Sequence, residues 1–267
     1  MKQKVHEAPI NLLRGRQKLA KIILPLIPKH TLYCEPFAGG AAIFFAKEPS
    51  EVEVLNDTNG ELINFYKVAK SRFKALRKEI HLTLHSRYQH QRATVINAHP
   101  YLFNEVQRAW AIWVLAIQSF ASKLNGNWGY DRTENKSARQ HLNKKLSFTN
   151  ALTDRLEETQ IESADALNVI RSRDSKNSFF FCDPPYFNSH QGHYKGYTVG
   201  DFENLLEALS NIKGKFLICS YPSKQLTLFT QKEKWFSKPI KSSLSLSTHP
   251  NSTKKMKVEI LTANYPI

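Results

Sequence analysis

The sequence contains no apolar run that could cross a membrane. Its longest run, residues 109–117, lies between Arg108 and Gln118 and falls well short of the roughly 18 residues that a spanning helix needs. We therefore interpret this run as a buried helix, and we expect no membrane partner. The first residues are polar and charged, which predicts no secretory leader and favours a cytoplasmic location.

Cysteine is scarce. Only Cys34, Cys182 and Cys219 occur, each in an apolar, strand-like run, and no C-x-x-C pair is present. This odd count without paired spacing argues against a disulfide framework, and we expect buried thiols in a reducing compartment. The ten histidines are scattered and no zinc-ligand spacing occurs, so we also expect no metal site.

Acidic residues are few relative to basic ones. Asp plus Glu number 23 against 38 Lys plus Arg, which gives a formal net charge of +15. Such an excess suits a polyanionic partner. Nucleic acid is the partner we expect, because no amphipathic terminal helix indicates a membrane surface. A generally basic, solvated surface is the alternative interpretation.

One apolar segment ends abruptly. Residues 179–182 predict a strand buried on both faces, and it must end at Pro184 and Pro185, which have no N–H for a sheet ladder. The loop beyond the strand offers the carboxylate of Asp183, carbonyl oxygens outside the ladder, and the aromatic face of Tyr186. Such a loop can accept the N–H groups of an exocyclic amine and stack the ring that carries it. The alternative is a strand that ends in a simple Pro-Pro turn.

A strand-turn-helix pattern surrounds Gly39 and Gly40. A short apolar strand leads into these glycines, which allow backbone to approach a ligand closely, and an apolar helix start follows. Asp57 ends the next predicted strand, about 20 residues further on, where an acid commonly holds a ribose diol. Asp165 follows another strand. Many α/β turns share this glycine pattern, however, and either acid can instead be a helix N-cap.

These residues together resemble the motifs of amino-methyltransferases that use S-adenosylmethionine. Asp183-Pro184-Pro185-Tyr186 matches their catalytic motif, in the Asp form that resembles the adenine-specific DNA enzymes. Residues 35–40, Glu-Pro-Phe-x-Gly-Gly, resemble their cofactor loop, and residues 56–59 match their Asn-Asp-x-Asn segment. The motif order is similar to that of the alpha group, to which the Dam methylase belongs.

The resemblance implies a site-specific DNA adenine-N6 methyltransferase that uses S-adenosylmethionine and flips its target base out of double-stranded DNA. It implies that the catalytic residues are Asp183, Pro184, Pro185 and Tyr186. The implied cofactor-binding residues are Arg16, Glu35, Phe37, Gly39, Gly40, Asp57, Asp165 and Asp183. Three positions depart from the family pattern: Arg16 replaces a lysine, Leu12 lies near an aromatic position, and Ala41 replaces the last glycine.

We expect an α/β fold, namely a Rossmann-like methyltransferase sheet with an inserted, mainly helical target-recognition region. The catalytic domain would comprise residues 1–80 and 159–267, and the insert residues 81–158. Apolar periodicity predicts one helix over residues 61–80, whose aromatics we interpret as packing residues, and another over residues 101–124. A turn-rich segment then predicts a hairpin. With the basic groups that follow, it provides the candidate DNA-binding residues Asn127, Trp128, Tyr130, Arg132, Lys136 and Arg139.

Several alternatives stay open. A solvated basic hairpin would look the same as a DNA-binding one. The loop at Asp183 would also serve methyl transfer to cytosine N4, to RNA or to protein glutamine. A DNA-binding protein with a decayed catalytic site is a further alternative, suggested by the departures at Leu12 and Arg16. A partner restriction endonuclease fits this sequence, as does a solitary or a phage enzyme.

Overall fold

The computed structural model describes residues 8–9, 16–188, 196–243 and 256–267. In these residues seven strands occur: β1 (Leu32–Glu35), β2 (Val52–Asn56), β3 (Gln160–Glu162), β4 (Ser178–Cys182), β5 (Lys215–Ser220), β6 (Phe236–Ser243) and β7 (Met256–Ala263). The α-helices of the same residues are α1 (Arg16–Ile23), α2 (Ala42–Ala46), α3 (Gly60–Ser71), α4 (Phe73–Leu82), α5 (Arg87–Ala98), α6 (Glu105–Gln118), α7 (Lys136–Ser147), α8 (Ala151–Leu156), α9 (Ala166–Arg173), α10 (Val199–Ser210) and α11 (Lys224–Lys232). Short 3₁₀ helices cover Leu24–Leu26, Pro100–Leu102 and Phe120–Ser122.

The strands form one sheet in the order β3-β2-β1-β4-β5-β7-β6. β2 pairs with β3, β1 with β4 and β4 with β5 in parallel, whereas β7 runs antiparallel to both β5 and β6. The order of the strands reverses between β1 and β4. In open α/β sheets, ligands bind at the carboxyl ends of strands beside such a reversal. This topology confirms the predicted α/β, Rossmann-like fold class.

Internal contacts divide the chain into two compact units. The first comprises Met1–Leu26 with Ala38–Asp165, and the second Ile27–Phe37 with Ala166–Ile267. β2, β3, α1 to α8 and the 3₁₀ helices belong to the first unit, whereas β1, β4 to β7 and α9 to α11 belong to the second. Residues 81–158, the predicted insert, lie in the first unit and are mainly helical. Their role as a separate target-recognition domain stays a prediction.

The centre of the first unit is α6, which packs against α3, α4, α5 and α7. Its residues from Ala109 to Gln118 are all buried, as its continuous apolar sequence requires. The predicted helix over residues 101–124 was too long, because a capping box at Asn104 starts α6 and Ser119 turns to extended backbone after it. The predicted helix over residues 61–80 is in fact two helices, since Arg72 leaves the helical region at φ −131° and ψ 34°.

A buried ion cluster joins α8 to β2 and α2. Both carboxylate oxygens of Glu53 accept hydrogen bonds from Arg155, which also donates to the Phe44 carbonyl oxygen at 2.8 Å. Lys47 donates to the same carboxylate at 2.6 Å. All three charged side chains are nearly inaccessible to solvent. A buried charge is tolerated only when it is paired with an opposite charge. The buried Glu53 carboxylate therefore depends on its pairing with Arg155 and Lys47.

The core of the second unit is formed around β4, in which every residue is buried. Phe179, Phe180 and Phe181 fill both faces of the sheet, as the apolar run predicts. Gly214 allows the chain before β5 to pass close to β4, because a Cβ there would lie 2.7 Å from the Ser178 carbonyl oxygen. The three cysteines are free and buried. Burial raises the pKa of the Cys182 thiol, which directly precedes Asp183.

Candidate active site

The Asp-Pro-Pro-Tyr loop, residues 183–186, leaves the sheet where β4 ends at Cys182. Asp183 and Tyr186 are half-buried and Pro184 is buried. The Tyr186 hydroxyl lies 3.4 Å from Asp183 Oδ1 and 3.2 Å from Cys219 Sγ, so its one proton can be donated to either acceptor. These contacts tie the end of the tyrosine ring to the acid of the same loop and to β5.

A second aromatic residue, Tyr221, packs against Tyr186 of the loop. The rings of Tyr186 and Tyr221 have centroids 4.3 Å apart and are inclined at 59°. Tyr221 directly follows β5, the parallel neighbour of β4, and is half-buried. The side-chain amide of Asn188 donates to the Pro222 carbonyl oxygen at 3.0 Å, which ties together the segments that follow these two strands. Tyr221 was not predicted as a site residue, although an aromatic residue directly after a buried strand is a usable signal.

Glu35 and Asp183 leave neighbouring strands of the second unit. β1 ends at Glu35, and it runs parallel to β4 with Cys34 opposite Phe180. Both acids therefore lie at the carboxyl edge of the sheet, beside the reversal of strand order. Glu35 is buried, and its Oε1 accepts the Tyr33 hydroxyl at 2.7 Å. Phe37, two residues later, is half-buried.

The glycine turn, residues 38–41, belongs to the first unit, and both the N–H and the carbonyl oxygen of Gly39 are hydrogen-bonded. The Gly39 N–H donates to Asp57 Oδ2 at 3.0 Å, and the Tyr66 hydroxyl donates to the Gly39 carbonyl oxygen at 2.6 Å. Gly39 has φ +49°, a conformation that favours glycine. Ala41 also has φ +49°, so the family's glycine at that position has a physical reason. Gly40 is half-buried within the same turn.

The Asp57 carboxylate accepts hydrogen bonds from two backbone N–H groups, one of which belongs to the glycine turn. Besides the N–H of Gly39 on Oδ2, its Oδ1 accepts the N–H of Asn59 at 2.9 Å. Burial raises the pKa of the Asp57 carboxyl, and these two N–H groups lower it in part. Helix capping is performed by Asn59, whose side chain accepts N–H groups at the start of α3. Asp57 thus retains lone pairs for a ligand that donates hydrogen bonds, and such donors would relieve its desolvation.

Asp165 is exposed and follows β3, at the same edge as Asp57. The backbone beside it is fixed by Asn56, whose side-chain amide donates to the Ala164 carbonyl oxygen at 3.0 Å and accepts the Ala164 N–H at 2.9 Å. Asn56 therefore joins the ends of β2 and β3, a role that its sequence position did not predict. Arg16 is the first residue of α1, but the structure does not describe its side chain. Leu12 lies outside the described residues.

The predicted hairpin forms between Gln118 and Tyr130. Its ladder is one antiparallel bridge, Ser119 to Trp128, with backbone hydrogen bonds from Gly129 to Gln118 and from Phe120 to Asn127, both 2.7 Å. Asn127 and Tyr130 are exposed and Trp128 is half-buried. Trp128 and Tyr130 are stacked, with ring centroids 5.5 Å apart. The hairpin therefore presents polar and aromatic groups at one surface of the first unit.

The basic residues that follow the hairpin are exposed. Arg132 lies in the connection to α7, Lys136 begins α7, and Arg139 is one turn further along it. Lys136 forms an exposed ion pair with Glu134 at 2.9 Å, which is worth little in stability and leaves the lysine accessible. Arg87 of α5, which the sequence analysis did not select, lies with its Cζ 4.9 Å from the Trp128 ring centroid.

Within the described part of the chain, no group of three or more His, Cys, Asp or Glu side chains could hold a metal ion. None of its helices is both long enough and apolar enough to pass through a membrane.

Comparisons with known proteins find similarities of three kinds, to a family model, to a relative and to a solved structure. Residues 15–243 match the model of a family described as D12 class N6 adenine-specific DNA methyltransferase. Over 237 residues the chain is 28% identical to the type II methyltransferase M1.LlaDCHI of Lactococcus lactis subsp. cremoris, covering 79% of this chain and 80% of that protein. Among solved structures, precorrin-6y C5,15-methyltransferase from Geobacter metallireducens GS-15 matches 92% of this chain and 86% of its own, with a TM-score of 0.38 and 11% identity. A TM-score of that size does not establish a common fold.

Proposed function

The chain belongs to the D12 class N6 adenine-specific DNA methyltransferase family, whose members methylate the N6 amino group of adenine in DNA, and from this premise we propose how its residues divide the work. We propose that S-adenosylmethionine is the methyl donor, that the glycine turn with Asp57 binds it, and that the Asp-Pro-Pro-Tyr loop holds the target amino group. The resemblance read from the sequence is confirmed at the level of the family. The roles of individual residues are our proposal.

The observation that carries the proposal is the Asp183 carboxylate. It is half-buried at a strand end beside the reversal of strand order, next to two prolines that offer carbonyls and no N–H, and within 3.4 Å of the Tyr186 hydroxyl. An exocyclic amine needs two acceptors at one end of a flat ring. Asp183 Oδ and the Pro184 carbonyl oxygen supply them in this proposal.

The residues present fit S-adenosylmethionine. Asp57 has two carboxylate oxygens that each accept one backbone N–H, which leaves positions for the two hydroxyls of a ribose. Gly39 has no atom within 4 Å of the place where a Cβ would lie, so backbone there is accessible. Gly40, Phe37, Glu35, Asp165 and Arg16 complete the proposed binding set, with acids for the amino groups and a ring for the adenine. When bound, the sulfonium supplies an electrophilic methyl group.

The chain's own contribution to the reaction is orientation and charge stabilisation. Adenine N6 is a poor nucleophile because its lone pair is delocalised into the ring. Acceptance of both N–H groups by Asp183 and Pro184 draws the nitrogen towards a tetrahedral geometry, and such positioning can be worth roughly 7–11 kcal/mol. The Asp183 carboxylate stabilises the positive charge that develops on N6 and takes the proton that N6 must lose.

The target must leave the duplex to reach a loop at a strand end. Extrusion of a base costs a few kcal/mol, and stacking on Tyr186 recovers part of that cost. The net charge of +15 supplies sequence-independent attraction to phosphates. We propose that residues 81–158 carry the target-recognition function, with Asn127, Trp128, Tyr130, Arg132, Lys136 and Arg139 as DNA contacts.

The name of the Lactococcus relative includes the type II designation, which supports a restriction-modification context for this chain. We accordingly keep a restriction endonuclease as a proposed partner. A cytoplasmic location, where both DNA and reduced thiols are found, and a metal-free reaction also stay predictions.

The test is substitution of Asp183. Asp183→Ala and Asp183→Asn should still bind S-adenosylmethionine, either normally or more weakly than wild type, whereas methyl transfer to duplex DNA at saturating cofactor should fall at least about 100-fold. Glu203→Gln, an exposed acid on α10, is the matched control and should leave both quantities unchanged. Transfer of labelled methyl groups followed by nucleoside analysis gives both the rate and the product. Normal transfer by Asp183→Ala would refute the mechanism, and N4-methylcytosine as the product would support the rival substrate.

A further inference from the structure

The guanidinium of Arg87 is held against two aromatic side chains of the hairpin. Its Cζ lies 4.9 Å from the Trp128 ring centroid and 5.7 Å from that of Tyr130. The two rings are stacked on each other, with planes within 18°. A guanidinium packed on aromatic rings is restricted in its rotamers, and it gains cation–π attraction as well as packing. Its orientation is therefore established before any ligand arrives.

Both sides of this contact are anchored to Gln118, the last residue of α6. Its side-chain Oε1 accepts the N–H of Ser86, which precedes Arg87, at 3.1 Å. Its backbone carbonyl oxygen accepts the N–H of Gly129, which separates Trp128 from Tyr130, at 2.7 Å. Gln118 is buried. The start of α5 and the hairpin thus share one rigid support, so the arginine and its two rings keep their relative position.

Arg87 has no acceptor of its own among the residues that the structure describes. No described carboxylate lies within ion-pair distance of it, and its side chain donates to no described atom. Asp131, which follows Tyr130 in the chain, accepts the N–H of Ser137 at the start of α7. Arg87 is exposed, so its five N–H donors are accessible, and with no acceptor among the described residues they suit an external ligand whose acceptors lie in the plane of the fork.

The aromatic packing limits which DNA group fits. Arg87 Cζ lies over both rings, which supports the arginine beside the hairpin, and the planar fork of its N–H donors matches O6 and N7 of guanine in the major groove. Arg132 and Arg139 are exposed, and no described ring packs against either, which suits phosphate contacts because those require charge more than a defined plane.

We propose that Arg87 is a specificity-determining residue that hydrogen-bonds the major-groove edge of a guanine in the target sequence. Trp128 and Tyr130, proposed above as DNA contacts, would then also position Arg87. The inference rests on the proposed function, since it requires a site-specific duplex substrate.

The test compares Arg87→Lys with Arg92→Lys. Lysine keeps the charge and loses the planar fork. Arg92 lies on the same helix with its Cζ 5.4 Å from the Trp110 ring centroid, which makes it a matched control. The target sequence is first read from modified bases in a host that expresses the wild-type gene. Binding is then measured on the target duplex and on a duplex that lacks the target, over a range of salt concentrations.

Arg87→Lys should weaken binding to the target duplex roughly 10- to 100-fold and leave the other duplex within about twofold, and methylation should spread to sites altered at one G·C pair. Arg92→Lys should change neither affinity. Tyr130→Leu, which removes one ring and keeps the arginine, should shift specificity in the same direction and decides the question if Arg87→Lys fails to fold.

A small and equal change on both duplexes, with the salt slope unchanged because lysine keeps the charge, would identify a phosphate contact and overturn the proposal. Unchanged affinity and unchanged specificity would overturn it as well. If the wild-type protein methylated no adenine, the proposed function would fail instead, so the two failures are distinguishable.

Discussion

Removal of one hydroxyl, in Tyr66→Phe, should weaken cofactor binding without slowing the chemical step. The Tyr66 hydroxyl donates to the Gly39 carbonyl oxygen at 2.6 Å, whereas its ring is fully buried beside Phe65, with centroids 5.5 Å apart. Phenylalanine keeps that ring packing and removes the hydroxyl that donates to Gly39. The glycine turn would still be held at the Gly39 N–H by Asp57.

The expected size follows from the surroundings of the carbonyl. A hydrogen bond of this kind contributes about 0.5–1.5 kcal/mol net, and a buried acceptor left without a partner costs more. Gly39 is half-exposed, so water can replace the hydroxyl and the cost should be about 1 kcal/mol. If this cost of about 1 kcal/mol appears entirely as weaker cofactor binding, the Kd for S-adenosylmethionine rises roughly fivefold, because about 1.4 kcal/mol corresponds to a factor of ten.

The assay is equilibrium titration with S-adenosylmethionine, together with single-turnover methylation at saturating cofactor and thermal unfolding. We expect a raised Kd, a single-turnover rate within about twofold of wild type, and a small change in Tm. Tyr88→Phe removes the same atom from a side chain that is 72% exposed and should leave all three measurements unchanged. A wild-type Kd in Tyr66→Phe would refute the role assigned to this hydroxyl. So would a lowered rate with an unchanged Kd.

The remaining predictions concern stability in the first unit. Burial lowers the pKa of His141 to about 4, whereas an unfolded histidine titrates near 6.5. The neutral, buried imidazole therefore makes its full contribution to the free energy of unfolding above about pH 6.5. That contribution declines by up to about 3 kcal/mol as the pH falls towards 4. Urea unfolding at pH 7.5 and at pH 5 should therefore show a smaller pH dependence in His141→Gln than in wild type, and an identical dependence would contradict this. Arg155→Met should lower the free energy of unfolding by about 3 kcal/mol, at the low end for a broken buried pair because Lys47 still contacts Glu53. Addition of Glu53→Gln should restore part of that loss in the same urea assay, and a neutral single variant would show that the pair contributes nothing.

The sequence predicted the features that depend on neighbours along the chain. A run of phenylalanines ending at two prolines determines where β4 ends and leaves Asp183 outside the ladder, because proline has no N–H to donate. Apolar periodicity predicted helices in the right regions. Their ends were wrong where local caps intervened, as at Asn104, or where one residue left the helical region, as at Arg72. The family motifs and the excess of basic residues pointed to adenine methylation in DNA, which the family match confirms.

Only the tertiary structure decided which distant side chains meet. Tyr66 has the spacing of a packing residue on α3, and nothing in its periodicity indicates that its hydroxyl reaches Gly39, 27 residues earlier. Arg87 looks like a solvated basic residue until the fold brings Trp128 and Tyr130 against it. The physical reason is the range of the interactions. Strand ends, turns and charge are properties of contiguous residues and can be read locally, whereas a hydrogen bond or a stacked ring between distant segments depends on how whole elements pack.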